Sequence, residues 1–184
     1  ALSDLGENAK VSRTDLWGVG SGNVPSNNAN SEYSTIAQGH PQARNIDQTS
    51  TVLDGLGLVG GTDYEKLSSA RLLNSSEYTV NQALGYVSLR TGLQTDQVLA
   101  IAYEYTSGGV TYQVGEFSSD RTDVSEALFV KSLKNTSNNP KQANWDLMMK
   151  NVYYLASTVE RDKFRLDVKF QSDTAGVYLP YIPE

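Results

Sequence analysis

The chain has 184 residues, with 15 Lys and Arg against 21 Asp and Glu and a formal net charge of −6, a balance that excludes the clustered basic surface a nucleic-acid binder needs. Mean hydropathy is −0.42 and no stretch approaches the roughly 18 apolar residues of a membrane helix, so the segment reads as water-soluble and without a membrane span. There is no cysteine, which removes disulfides, thiolate chemistry and Cys-type zinc sites.

The chain begins at Ala1 rather than Met and carries no signal peptide, which suggests a mature fragment or an excised piece. Residues 18–50 are dominated by Ser, Asn, Gly and Pro, with few apolar anchors, and read as long loops. The single histidine, His40, sits in this stretch before Pro41; one His cannot build a His-rich metal site, and no triad-type motif lies nearby. Residues 54–61, DGLGLVGG, place Gly55, Gly57 and Gly60 at the spacing of a dinucleotide-binding turn. That turn has meaning only between a buried strand and a helix of a βαβ unit, and the chain beyond it reads as hairpins. A flexible Gly-rich connection is the expectation. Residues 7–17 and 68–78 share a faint pattern of basic, apolar, acidic and aromatic positions, too weak to establish a repeat.

From residue 64 the texture becomes strand-like. EYTVNQALGYVSL predicts a strand, a turn and a second strand over residues 86–89. Residues 97–106, QVLAIAYEYT, predict one strand, and residues 110–117, VTYQVGEF, its hairpin partner across Ser107-Gly108-Gly109. Residues 127–134, ALFVKSLK, give another strand. WDLMMKNVYYL predicts a helix over 144–155: Trp145, Met148, Met149, Val152 and Leu155 recur at helical spacing behind an Asn144 cap. FRLDVKF alternates, with Phe164, Leu166, Val168 and Phe170 on one face, as in a half-buried antiparallel strand. The fold expected is therefore mainly β: an antiparallel, sandwich-like domain over 61–184 with one or two short helices, preceded by a loop-rich segment over 1–60, all in one structural unit.

Eleven Tyr against four Phe suits half-buried pleated surfaces and interfaces. Glu104 and Glu116, on partner strands, are the pair to consider for acid/base hydrolysis, although solvated sheet faces are the expected reading of both. Asp120 and Asp123 read as a polar turn, since they lack the spacing of a calcium loop. No catalytic, cofactor-binding or metal-ligating set emerges.

Several separate blocks carry a resemblance: the run from DYEKLSSARLLNSSEYTVNQALGYVSL through LAIAYEYT, then YQVGEFSSD, ALFVKSLK, WDLMMKNVYYL, FRLDVKFQSD and YLPYIPE. In this order they resemble the SprA-type cell-surface gliding-motility proteins of Bacteroidetes, over residues 61–184. The resemblance implies the outer-membrane translocon of the type IX secretion system, a giant β-barrel that passes folded cargo to the cell surface. This chain would be a non-barrel domain of that parent, without catalytic residues or cofactor. Its implied partners are secreted cargo, accessory subunits and the rest of its own parent chain. Tyr103, Tyr105 and Tyr112, with the long polar loop, are the expected contact surface. The alternative is a carbohydrate-binding or adhesive surface module; a two-carboxylate hydrolase comes third.

Overall fold

The computed structural model describes residues 1–121, 123–137, 139–150, 155, 158–171, 176 and 178–180. The chain divides into two compact units, Ala1–Met149 and Lys150–Glu184. Among the described residues the strands are short and antiparallel and the helices few and short. No helix is long and apolar enough to cross a membrane.

The core of the first unit is built mainly by the segment that looks least like a core. Leu2, Leu5, Val11, Trp17, Ile36, Ala37, Ala43, Leu53 and Leu58 are buried there, and among the described residues only Tyr64, Val114 and Phe129 join them from later in the chain. Residues 18–50 are accordingly not one long loop. Helix α1 (Glu32–Ser34) runs into a π-helical turn (Thr35–Gly39), followed by a 3₁₀ turn (Pro41–Arg44) and helix α2 (Thr49–Gly55). The inward positions Ile36, Ala37 and Ala43 are small or isolated, so their periodicity is faint against the Ser and Asn around them. The division of the chain falls after residue 149, and residues 1–60 share their core with the strands.

The glycine motif lies at the end of α2, not between a strand and a following helix. Its "STVL" forms the body of α2. The Leu58 amide donates to the Leu53 carbonyl at 3.0 Å and the Gly57 amide to Asp54 at 2.9 Å, the paired bonds of a Schellman stop. Gly57 supplies the left-handed residue that this stop requires, at φ 87°. Gly55 and Gly57 end a helix, Gly60 bridges to Tyr64 beyond it, and no phosphate cradle is made.

Strands β1 (Tyr78–Asn81) and β2 (Tyr86–Leu89) form the expected hairpin, with Tyr78 opposite Leu89 and Val80 opposite Val87. The run 97–106 is two strands, not one. β3 (Leu99–Ile101) pairs with β6 (Lys131–Lys134), while β4 (Tyr103–Ser107) pairs with β5 (Val110–Val114). The partner changes at Ala102, where Gly115 crosses so closely that a Cβ on it would lie 3.0 Å from the Ala102 Cβ. Gly108 and Gly109 close the β4–β5 turn with positive φ at both positions, as a two-residue hairpin demands.

The first three residues act as a strand. Leu2 bridges antiparallel to Tyr64 and parallel to Lys131, its amide donating to the Val130 carbonyl at 2.9 Å and its carbonyl accepting from Ser132 at 2.7 Å. The predicted helix over 144–155 is a 3₁₀ turn, Ala143–Leu147, that ends where Met148 turns extended (ψ 135°). Asn144 does not cap it: its side chain is buried and donates to the Ser132 hydroxyl at 3.2 Å, docking the segment onto β6 instead. Residues 151–154 lie outside the described residues.

In the second unit, β7 (Phe170–Gln171) pairs with β8 (Tyr178–Leu179). The predicted strand over 164–170 enters a ladder only at Phe170. Leu166 and Val168 are 56 % and 79 % exposed, because among the described residues of this unit no layer covers that face.

Candidate functional site

The three tyrosines expected to form a contact surface come together on one face of the β4–β5 hairpin. Tyr105 stands directly opposite Tyr112, and Tyr103 is two residues from Tyr105 on the same face. The Tyr105 and Tyr112 rings stack with centroids 5.5 Å apart at 26°, and Tyr103 lies 6.1 Å from Tyr105 at 31°. Burial first, then the neighbouring acid and ring, pushes the Tyr103 hydroxyl above its ordinary value; burial, then Tyr112, does the same for Tyr105. These hydroxyls therefore remain neutral donors in any physiological medium.

The ladder is tied to the polar loop. The Tyr105 hydroxyl donates to the Pro25 carbonyl at 2.7 Å, and the Asn27 amide donates to the Gln113 carbonyl at 2.8 Å. Asn27 also brackets Gly115, accepting from its amide at 2.8 Å and donating to its carbonyl at 3.2 Å. Loop and hairpin are one surface.

The two carboxylates considered for hydrolysis do not meet. Glu104 faces Gln113 and is exposed. Glu116 lies beyond the end of β5 and is 4 % exposed, so neither a catalytic pair nor a solvated sheet face describes it. Its Oε1 accepts from the Tyr33 hydroxyl and from Arg44 Nη2, each at 2.6 Å. Its Oε2 accepts from Arg44 Nη1 at 3.0 Å and from the Phe129 amide at 2.8 Å. Arg44 also lies over the Phe129 ring, 5.2 Å from its centroid. With four donors on two oxygens, Glu116 is a structural clasp. Burial, then the bond to Glu116, raises the Tyr33 hydroxyl well above its usual range, which keeps it a donor.

His40 is half-buried, with Nδ1 3.4 Å from the Gln42 amide nitrogen. Asp120 accepts from the Phe117 amide at 2.8 Å and from Gln113 at 2.6 Å, and Asp123 accepts from the Ser125 amide at 2.8 Å, as polar turns do. Among the described residues no group of three His, Cys, Asp or Glu is arranged to hold a metal ion.

A second buried polar cluster had no local signature in the sequence. Lys131 on β6 and Glu7 are both under a tenth exposed, with Nζ 2.7 Å from Oε1. Nζ also donates to the Ser3 carbonyl at 2.5 Å, and the Leu5 amide donates to Glu7 Oε2 at 3.0 Å. Asn135 donates to the Ser3 hydroxyl at 2.7 Å and accepts from Ser132. Glu32, at the start of α1, is 1 % exposed, and its Oε2 has no hydrogen-bond partner. Burial, followed by Asp4 and Glu7, pushes its carboxyl up to about 9, against the opposing pull of Lys131. It is a neutral acid at pH 7. Beside this cluster, burial lowers the Ala1 amine to about 6, only partly offset by Glu65.

No protein-family model matches the chain, and no curated protein matches it significantly.

Proposed function

We propose that this chain is a non-catalytic module of an outer-membrane protein-secretion translocon of the SprA type, working in type IX secretion and gliding motility at the cell surface. It shapes the channel or contacts cargo and accessory subunits. The sequence blocks that resemble that family support the parent. The observation that carries the contact role is the Tyr103–Tyr105–Tyr112 ladder locked to the polar loop at Pro25. Rigid aromatic rings with wet hydroxyls give contact area at low conformational cost. The β1–β2 hairpin adds exposed apolar side chains, Val80 at 55 % and, in its turn, Leu84 at 74 %. In this reading the antiparallel pairs belong to a sandwich-like arrangement that the rest of the parent chain completes.

The carbohydrate-binding reading is weaker. Tyr105 and Tyr112 turn a face toward each other, which leaves less open ring face for a sugar to stack on. The test is the Tyr103→Ser/Tyr112→Ser double variant in the parent protein, scored for cargo capture and secretion. The expected result is reduced capture with an unchanged fold. Unchanged capture and secretion would remove the ladder from the contact role. A free protein near 20.1 kDa, absent from the outer-membrane fraction, would sink the translocon reading.

A further inference from the structure

The geometry points to an intramolecular amide bond between Lys131 Nζ and the side-chain carboxyl carbon of Glu7, formed by condensation with Glu32 as the acid that relays the protons. This inference is independent of the secretion reading. The nucleophile already touches the carboxyl group it is to attack. Nζ lies 2.7 Å from Glu7 Oε1, and both side chains are under a tenth exposed. Each is held from a second direction, Nζ by the Ser3 carbonyl at 2.5 Å and Oε2 by the Leu5 amide at 3.0 Å. Fixing reactants in a near-attack arrangement away from water replaces a collision with a unimolecular step.

A stabilising ion pair would be complete with those contacts, and a third carboxyl beside it would only add cost. Yet Glu32 is there, 1 % exposed and packed on the backbone just before Glu7, its Cβ only 2.8 Å from where a Cβ on Gly6 would lie, with one oxygen left without a partner. Buried orphan oxygens are rare in folded proteins and require a reason. A neutral acid next to an amine and a carboxyl is what a condensation needs.

The step balances without any co-reactant. A proton passes from the Lys131 ammonium to the Glu7 carboxylate, leaving a neutral amine and a neutral carboxyl. The amine lone pair attacks the Glu7 carboxyl carbon. Glu32 gives its proton to the departing Glu7 hydroxyl, which leaves as water, and takes one from the nitrogen. One N–C bond forms, one C–O bond breaks, one water is released, and Glu32 ends as it began. The product joins residue 7 to residue 131 covalently in a chain that has no cysteine.

The test is the intact mass of the purified, folded chain, followed by tryptic mapping. The expected mass is one water below that of the sequence, and the expected fragment is peptide 1–10 joined to peptide 122–134, uncut after Lys131. The cross-linked chain also migrates faster than the Lys131→Arg variant on a denaturing gel. Glu32→Gln is expected to fold and to keep the full sequence mass. A folded wild-type chain at the full sequence mass overturns the proposal whatever the variants do. Loss of water that maps to any other pair of residues overturns it as well. A cross-link that persists in Glu32→Gln overturns the role assigned to Glu32.

Discussion

Residues 1–60 and residues 164–170 make opposite impressions as sequence and meet opposite fates. The first are rich in Ser, Asn and Gly, yet they bury Leu2, Leu5, Ile36 and Leu53 to 2 % exposure or less. The second alternate as an amphipathic strand should, yet Phe164 stays 51 % exposed and Leu166 56 %. A pattern along the chain describes which face would be buried if a partner layer were present. Whether it is buried depends on that layer, which comes from elsewhere in the chain or from outside it. Sparse apolar residues succeed in the first region because Val114 and Phe129 meet them there.

The sharpest way to break this comparison is to truncate one residue in each region. Ile36→Ala is expected to cost about 2–5 kcal/mol in urea unfolding, the usual range for emptying a buried site. Leu166→Ala should stay within about 0.5 kcal/mol, as for an exposed position. Equal effects would mean that the second region also has a packed layer.

Next in size is Glu116→Ala, which leaves Arg44, Tyr33 and the Phe129 amide without their acceptor. Breaking a buried pair costs about 3–5 kcal/mol, and about 2–4 is expected here because Arg44 keeps some contact with water. Denaturant midpoints would measure it, and Glu104→Ala, on an exposed face, is the control.

In the 184-residue chain produced on its own, with a free amine at Ala1, that amine gives a pH signature. Its folded value of about 6 lies below the 8.0 usual for a chain-terminal amine, so the unfolded chain binds more protons between these values. Stability should therefore rise from pH 6 to pH 8, by about 2 kcal/mol, and be flat from this group below and above that window. Acetylating Ala1 should abolish the slope, while acetylation at a surface lysine should not.

The mildest of the disruptive variants is Gly57→Ala, at about 1–2 kcal/mol, from the left-handed conformation and from a Cβ that would lie 2.9 Å from Leu16. Thermal unfolding would register it, and Gly92→Ala, where space is open, should change little.

What was legible in the sequence was local. The β4–β5 turn followed from two adjacent glycines between alternating runs, and β1–β2 from strand residues around a polar turn. The partner switch at Ala102 was not legible, because apolar residues continue across it and the reason lies in Gly115, on the far strand. Glu116 looked solvated because its partners Arg44 and Tyr33 are 72 and 83 positions away. The Tyr ladder was half legible: the residues were visible, their anchor at Pro25 was not. Asn144 read as a cap because the Ser132 hydroxyl it reaches belongs to another element.

The strand made by residues 1–3 also sets a timetable. Lys131 reaches back 128 positions to the Ser3 carbonyl, and the Leu2 backbone finds its second neighbour only at residues 130–132. During synthesis the opening residues can pair on one side with residues 63–65, but their other side stays open until most of the chain has emerged. Closure over such a distance slows folding and leaves apolar side chains such as Leu2 and Leu5 uncovered meanwhile. The first unit thus assembles late and all at once, with its earliest residues fixed last.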